Sequence, residues 1–372
     1  GKRRNIVHIR KSEHKMIKKE CFTAEWIEQV SSELHYNDKN LIEKVIRALS
    51  LLEMLVKAGC PLVFKGGTAL MLILGKSAHR LSIDIDLICP PGTNIEDYLK
   101  SFADFGFINL ELVERKQRDD ADIPKSHSKF FYQIAYRNDT DAQSYILLDV
   151  LYEDIHYFRT QQIAINCPFI RLEGKPLMVT VPSAEDILGD KLTAFAPNTT
   201  GIPYYRNGRS CSMEIAKQLY DVGRLFENVS DLQITKEAFR KIAVVELSYR
   251  SFGTDIGQVF NDIRQTALCI STRGKAGEGD FDLIQDGIIR VKSFMYKQRY
   301  LIDHAIIDAA RAAYLATLIE KGINEIESYS NNPADIKDMV IRPSLPNKLN
   351  KLRSNLPEAY YYWAKTSELL EA

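Results

Sequence analysis

The stretch "SIDIDLICP", residues 82–90, alternates aspartate with isoleucine or leucine and closes on proline. Read as a strand, it sets Asp84 and Asp86 side by side on one face, about 7 Å apart at the backbone, with Ile83, Ile85 and Leu87 on the other. Neighbouring carboxylates repel and raise each other's pKa unless a divalent cation sits between them. The pattern therefore points to a ligand. Oxygen donors of this kind suit Mg2+ or Mn2+, which take a few carboxylates together with substrate phosphates. A solvated strand face is the plainer alternative.

Upstream, "PLVFKGGTALMLIL" reads as a short strand, a Gly66-Gly67 turn and a helix opening at Thr68. Unobstructed backbone N–H groups at a positive helix end receive phosphate well, although a tight turn alone would also explain the glycines. No GxxxxGK[ST] spacing occurs, which disfavours an ordinary P-loop NTPase. Asp149 is the one charge in the apolar run "SYILLDVLY". If its strand lies beside that of Asp84 and Asp86, three carboxylates converge, and Asp149 would ligate metal or take a proton from an attacking hydroxyl. Capping a turn or pairing with an arginine would equally account for it.

The remainder of the chain divides in two. A helix from Asp38 to Ala58, the two strands above, a helix near 95–105 and the extended stretches "INLELVE", "KFFYQIAY", "SYILLDVLY", "QIAIN" and "LMVTV" predict an α/β half with a mixed sheet. After Pro182 every apolar run has helical period. The expected organisation is a basic segment over 1–37, an α/β domain over 38–182 and a helical domain over 183–372. "GIPYYRNGRS" and "RGKAGEGD" read as glycine-containing loops.

Net charge is zero, so affinity for nucleic acid must come from local patches. The first 19 residues carry eight Lys/Arg against one Glu, enough to attract a phosphate backbone, or simply a solvated tail. "RVKSFMYKQRY" and "RPSLPNKLNKLR" are further basic candidates, whereas "AYYYWAK" reads as packing. The six cysteines show no CxxC pair and the histidines no HExxH spacing, so neither a disulfide framework nor a zinc site is indicated. No apolar run is long enough for a membrane span, and a cytoplasmic location is expected.

With these residues in place, "FKGGTALMLILGKSAHRLSIDIDL" resembles the signature of the abortive-infection nucleotidyltransferase toxins of the AbiEii/AbiGii/MenT type, a branch of the polymerase-β-like nucleotidyltransferases. The matching residues are Lys65, Gly66, Gly67, Thr68, Arg80, Ser82, Asp84 and Asp86. "AEDILGDKLTAFA" is similar to the family's helix whose lysine meets the triphosphate, here Lys191, and "AKQLYDVGRLF" to an Arg-Asp-x-Tyr-Asp-Leu pattern, here Tyr220 and Asp221. The chain departs from that pattern at Lys217 and Gln218, which unsettles the charge pairing around Asp221.

The resemblance implies a polymerase-β-like mixed sheet with helices, followed by an all-helical C-terminal domain that completes the nucleotide site. It further implies magnesium- or manganese-dependent transfer of NMP from an NTP to an RNA acceptor, tRNA by kinship, by the toxin of a toxin–antitoxin or phage-defence pair with an antitoxin partner. Asp84, Asp86 and Asp149 would hold metal; Lys65, Gly66, Gly67, Thr68, Arg80, Ser82 and Lys191 would meet the nucleotide; Asp221 would orient Lys191 or support its helix. A solvated surface lysine and aspartate are the ordinary readings of Lys191 and Asp221. A kinase or a protein-modifying transferase built on the same site, or a catalytically silent binding module, are the competing functions.

Overall fold

The computed structural model describes residues 16–113, 125–137, 142–250, 252–253 and 255–372. Its first half is built around a five-stranded mixed sheet: β1 (Val63–Lys65), β2 (Ile85–Cys89), β3 (Asn109–Val113), β4 (Lys125–Gln133) and β5 (Gln143–Tyr152), in the order β1-β2-β5-β4-β3. Only the β2–β5 pair is parallel. Along β5 alternate residues Ile146, Leu148 and Val150 are buried while Tyr145, Leu147 and Asp149 face outward, so hydrophobic period two assigns one covered and one open face. The cover is α2 (Lys39–Lys57), buried almost throughout from Ile42 to Leu55 and capped by Asp38, whose carboxylate accepts from Leu41 N at 3.1 Å.

Preceding it, α1 (Ala24–Glu33) lies against α2 and buries Trp26, Ile27 and Val30. Met16 N and Ile17 N donate to the buried Glu53 carboxylate at 2.6 and 3.0 Å, so this part of the basic segment is packed. Residues 1–15, which carry most of the segment's charge, lie outside the described residues. The helix expected near 95–105 is instead two 3-10 turns, Ile95–Tyr98 and Phe102–Phe105, the short connectors that such turns commonly form. α3 (Gly66–Leu74) packs on β1 and β2, and β6 (Thr160–Ala164) with β7 (Met178–Pro182) makes a separate ribbon beside β1.

From Ala184 the chain is helical: α4 (Ala184–Ala194), α5 (Ser212–Phe226), α6 (Gln233–Tyr249), α7 (Gly257–Ser271), α8 (Phe281–Val291), α9 (Ile302–Lys321), α10 (Leu352–Asn355) and α11 (Pro357–Leu370). One departure from an all-helical half is a two-stranded hairpin, β8 (Tyr205–Arg206) and β9 (Arg209–Ser210), where the sequence suggested only a loop. Tyr360, Tyr361, Tyr362 and Trp363 of "AYYYWAK" are all core. Met295, Tyr296 and Tyr300 of "RVKSFMYKQRY" are buried too, and Arg353 spends its guanidinium on the Lys337 and Met339 carbonyls.

Lys191 is carried by α4. Ser183 caps that helix by accepting from Asp186 N at 3.1 Å, and Asp186 in turn accepts from Phe158 N and Arg159 N. Gly189 presses α4 onto α6: a Cβ there would stand 2.9 Å from Phe239 N, Thr235 O and the Ala238 Cβ. Gly189→Ala should therefore lower thermal stability, because about 1–3 kcal/mol of overpacking outweighs the roughly 1 kcal/mol that alanine gains in helix propensity. A calorimetric scan showing equal or greater stability would mean that the helices can separate without cost.

Candidate active site

Four side chains line up across four strands on the open face of the sheet. In register, Lys65 pairs with Asp86, Asp86 with Asp149, and Asp149 with His127, which places one residue from each of β1, β2, β5 and β4 in a single transverse row. Paired residues point to the same side of a sheet, so the row brings Asp86 and Asp149 together as the adjacency of their strands requires. His127 Nδ1 contacts Asp149 Oδ1. Asp84 sits just before β2 rather than within it, because Thr68 Oγ1 takes the Asp84 carbonyl at 2.6 Å and the ladder begins one residue later. Its side chain stands at the exposed lip of the row.

The electrostatics follow from crowding. Burial, then the nearby Asp149 and Asp84 carboxylates, push Asp86 up to about 6 against the pull of Lys65 and Lys191. Partial desolvation and Asp149 also raise Asp84, with Lys217 and Lys44 opposing. Neither side chain makes an ion pair or side-chain hydrogen bond to another described residue, and no arginine closes either one off.

The glycine turn abuts this row. Gly66 has φ +82°, and a Cβ there would come within 2.3 Å of Asp86 Oδ2; at Gly67 it would meet Ser82 Oγ at 2.8 Å and Arg80 Nη2 at 3.3 Å. Both positions need the absence of a side chain, the first for its backbone conformation as well. Ser82 Oγ bonds Thr68 Oγ1 at 3.0 Å, tying the start of α3 to the segment that leads into β2. The free N–H groups of Gly66, Gly67 and Thr68 thus open next to the carboxylates.

Arg80, expected to meet the nucleotide, is committed to a carboxylate of the helical half. It is buried and gives Nε and both sides of Nη2 to Asp221, at 3.0, 2.8 and 2.7 Å. Lys191 Nζ reaches the same carboxylate at 3.1 Å. Burial alone would raise Asp221, but Arg80 and Lys191 outweigh it and hold the carboxyl below its ordinary value. Asp221 is thus a buried hub rather than a surface aspartate, and Lys191 is oriented by it. The backbone of this stretch is fastened as well: Leu81 N donates to Phe294 O at 2.8 Å, and Tyr296 N to His79 O at 2.9 Å.

Two participants escaped the sequence. Register alone selects His127, because nothing in "SHSKFFY" distinguishes it. Lys217 had a usable signal, four residues before Asp221 on one helix face. Its amine lies over the Phe294 ring at 4.0 Å, with Arg80, Asp221 and Asp84 in electrostatic range and no carboxylate within ion-pairing distance among the described residues. Burial, then Arg80, push it down to about 8.

The donor set suits a hard divalent cation shared with a substrate. Among the described residues no three His, Cys, Asp or Glu side chains are gathered so as to enclose a metal ion. Asp84 and Asp86 pair with no described residue, are both raised in pKa by burial and by the nearby Asp149 carboxylate, and border an anion-ready turn, a partial site of the kind magnesium completes with phosphate and water.

The chain matches the family model described as nucleotidyl transferase AbiEii toxin, type IV toxin–antitoxin system, over residues 49–332. No curated protein matches it. Among solved structures it is similar to JHP933 from Helicobacter pylori, at 17% identity and a TM-score of 0.40, covering 76% of this chain and 94% of that one. A putative nucleotidyltransferase from H. pylori gives 18%, 0.39, 76% and 94%. MenT4, a nucleotidyltransferase toxin from Mycobacterium tuberculosis H37Rv, gives 12%, 0.40, 79% and 89%. At that distance these structures say nothing of substrate.

Two stability measurements check the electrostatics. Arg80→Met leaves Asp221 buried with one partner and should cost about 3–5 kcal/mol near neutrality. The depressed Asp221 pKa means that its contribution is present above the unfolded carboxylate value and lost as pH falls below it, so the deficit should narrow on acidification. Asp86 has the opposite sign. Its raised pKa makes the folded state bind the proton more tightly, so its charge costs stability that grows from about pH 4 to about pH 6, at most about 3 kcal/mol. Asp86→Asn should stabilise the metal-free protein at pH 7 by a margin that shrinks toward pH 4.5.

Proposed function

The chain belongs to the nucleotidyl transferase AbiEii toxin family of type IV toxin–antitoxin systems, and from that membership we propose that it transfers NMP from an NTP to the hydroxyl of an RNA acceptor, with tRNA the first acceptor to test. Magnesium or manganese is its proposed cofactor. An antitoxin partner is proposed on the same ground. Among the described residues no helix is long and apolar enough to cross a membrane.

The observation that carries the reading is the transverse row Lys65–Asp86–Asp149–His127 with Asp84 at its lip, set against the Gly66–Thr68 turn. Attack at an α-phosphorus needs a fixed triphosphate, offset charge and an aligned hydroxyl, so positioning and electrostatics do most of the work. Asp84 and Asp86 would hold the cation, which when bound supplies charge stabilisation to the phosphates. The turn N–H groups would bind the triphosphate tail. Lys217, which pairs with no carboxylate among the described residues, would offset the departing charge together with Lys191, which Asp221 holds. Asp149, oriented by His127, would receive the acceptor proton.

Incubation with tRNA and separately α- and γ-labelled NTPs tests the reaction class. Retained α-label is expected; retained γ-label would make the protein a kinase, and label on protein instead of RNA would move the acceptor. Asp86→Asn should abolish both label transfer and growth inhibition while the fold persists, and magnesium or manganese should raise the melting temperature of the wild type but not of this variant. Full toxicity in Asp86→Asn would remove the metal role.

A further inference from the structure

Between Lys191 on α4 and Lys217 on α5 the chain makes the short hairpin β8–β9, closed by Asn207 and Gly208 at φ +52° and +75°. Both residues tolerate the left-handed region, so the turn matches the two-residue type that twists with its strands. Its root is anchored: Cys211 N donates to Tyr204 O at 2.8 Å, and the Tyr204 hydroxyl packs within 2.6 Å of where a Cβ of Gly279 would stand. What it holds outward is Arg206 directly opposite Arg209, both exposed, with Tyr205 58% exposed beside them.

Such an arrangement is costly for the protein alone. Like charges in direct cross-strand register destabilise a hairpin, and neither arginine has an ion-pair partner among the described residues. An exposed aromatic ring adds apolar surface at the same spot. A polyanion with stackable rings relieves all of this together: phosphates take the two guanidinium groups, and a base takes the tyrosine face. The other basic stretches lack this freedom, since Tyr296 and Tyr300 of the first are core and Arg353 of the second is bound to backbone carbonyls.

We propose that the Tyr205–Arg209 hairpin is the docking surface for the RNA acceptor, gripping its backbone with Arg206 and Arg209 and stacking a base on Tyr205. The inference rests on the transferase reading of the site. Ser212 begins α5 immediately after the hairpin, and at 1.5 Å per residue Lys217 and Asp221 lie about 8 and 14 Å further along that helix. A strand held at the hairpin would thus lie at the start of the helix that carries Lys217 and Asp221, which would let an end-directed reaction be guided by contacts away from the reacting hydroxyl.

The full chain is tested with bulk tRNA, and with polyglutamate as a probe for an acidic protein surface. The variants are Arg206→Gln/Arg209→Gln, Arg206→Lys/Arg209→Lys and Tyr205→Ala. The glutamine pair should weaken tRNA binding about tenfold or more and reduce the salt slope by about two; the lysine pair should keep the slope. Tyr205→Ala should weaken tRNA about fivefold or more and leave polyglutamate unaffected. In the transfer assay the KM for RNA should rise while that for NTP stays constant. Unchanged tRNA affinity and slope in the glutamine pair would overturn the proposal. So would an equal loss on polyglutamate with no effect of Tyr205→Ala, which would assign the patch to an acidic protein. A wild type that transfers no label yet loses tRNA through these variants would sink the transferase reading and leave the hairpin standing; normal transfer with unaltered RNA binding would do the reverse.

Discussion

One buried carboxylate holds the two halves of this protein in register. Asp221 stands on α5 in the helical half, receives a forked guanidinium from Arg80 at the foot of the sheet half, and receives an amine from Lys191 on α4. A buried ion pair contributes little net stability, yet it tolerates few geometries, so its worth here is positional. It sets where α4 and α5 stand relative to the strand that carries Asp86. Hydrogen bonds from Leu81 to Phe294 and from Tyr296 to His79 clamp the same junction through the backbone.

A second ionic cluster roots α5 from behind. Gly223 leaves room for the Asp308 carboxylate, which would stand 2.0 Å from a Cβ at that position. Asp308, wholly buried on α9, accepts from Arg224 at 2.9 Å and from the Tyr300 hydroxyl at 2.8 Å, and Arg311 spans onward to Glu358 on α11. The helix bearing Lys217 and Asp221 is thus pinned on both sides. Groups proposed to meet a triphosphate would then be pre-placed instead of being ordered at the moment of binding. The acidic row has the opposite character: Asp84 and Asp86 are crowded and raised in pKa with no ion-pair partner among the described residues, a strain that a cation shared with substrate would relieve.

Local chemistry was legible wherever it lay within one element or its neighbour. The alternation in "SIDIDLICP" implied a same-face acid pair, the glycines of "KGGT" a turn able to receive phosphate beside it, and the lone Asp149 a third carboxylate if its strand lay alongside. Leu188 and Leu192 stand at helical spacing along α4 and Phe195 follows at its C-cap, and all three are buried. The Asn207-Gly208 pair was an available hairpin signal that a loop reading passed over.

What amino-acid order by itself determined, then, is period: which residues lie on strands or helices, which face of each is apolar, and which charges break that pattern. Only the tertiary structure decided partnership. That Arg80 serves Asp221, that His127 stands against Asp149, and that Lys217 comes near Asp84 all depend on strand order and on how α5 meets the sheet. Those contacts join residues 22 to 141 positions apart, and a spacing rule reaches no further than one turn or one pleat, so chain closure alone could choose among the many charges able to pair.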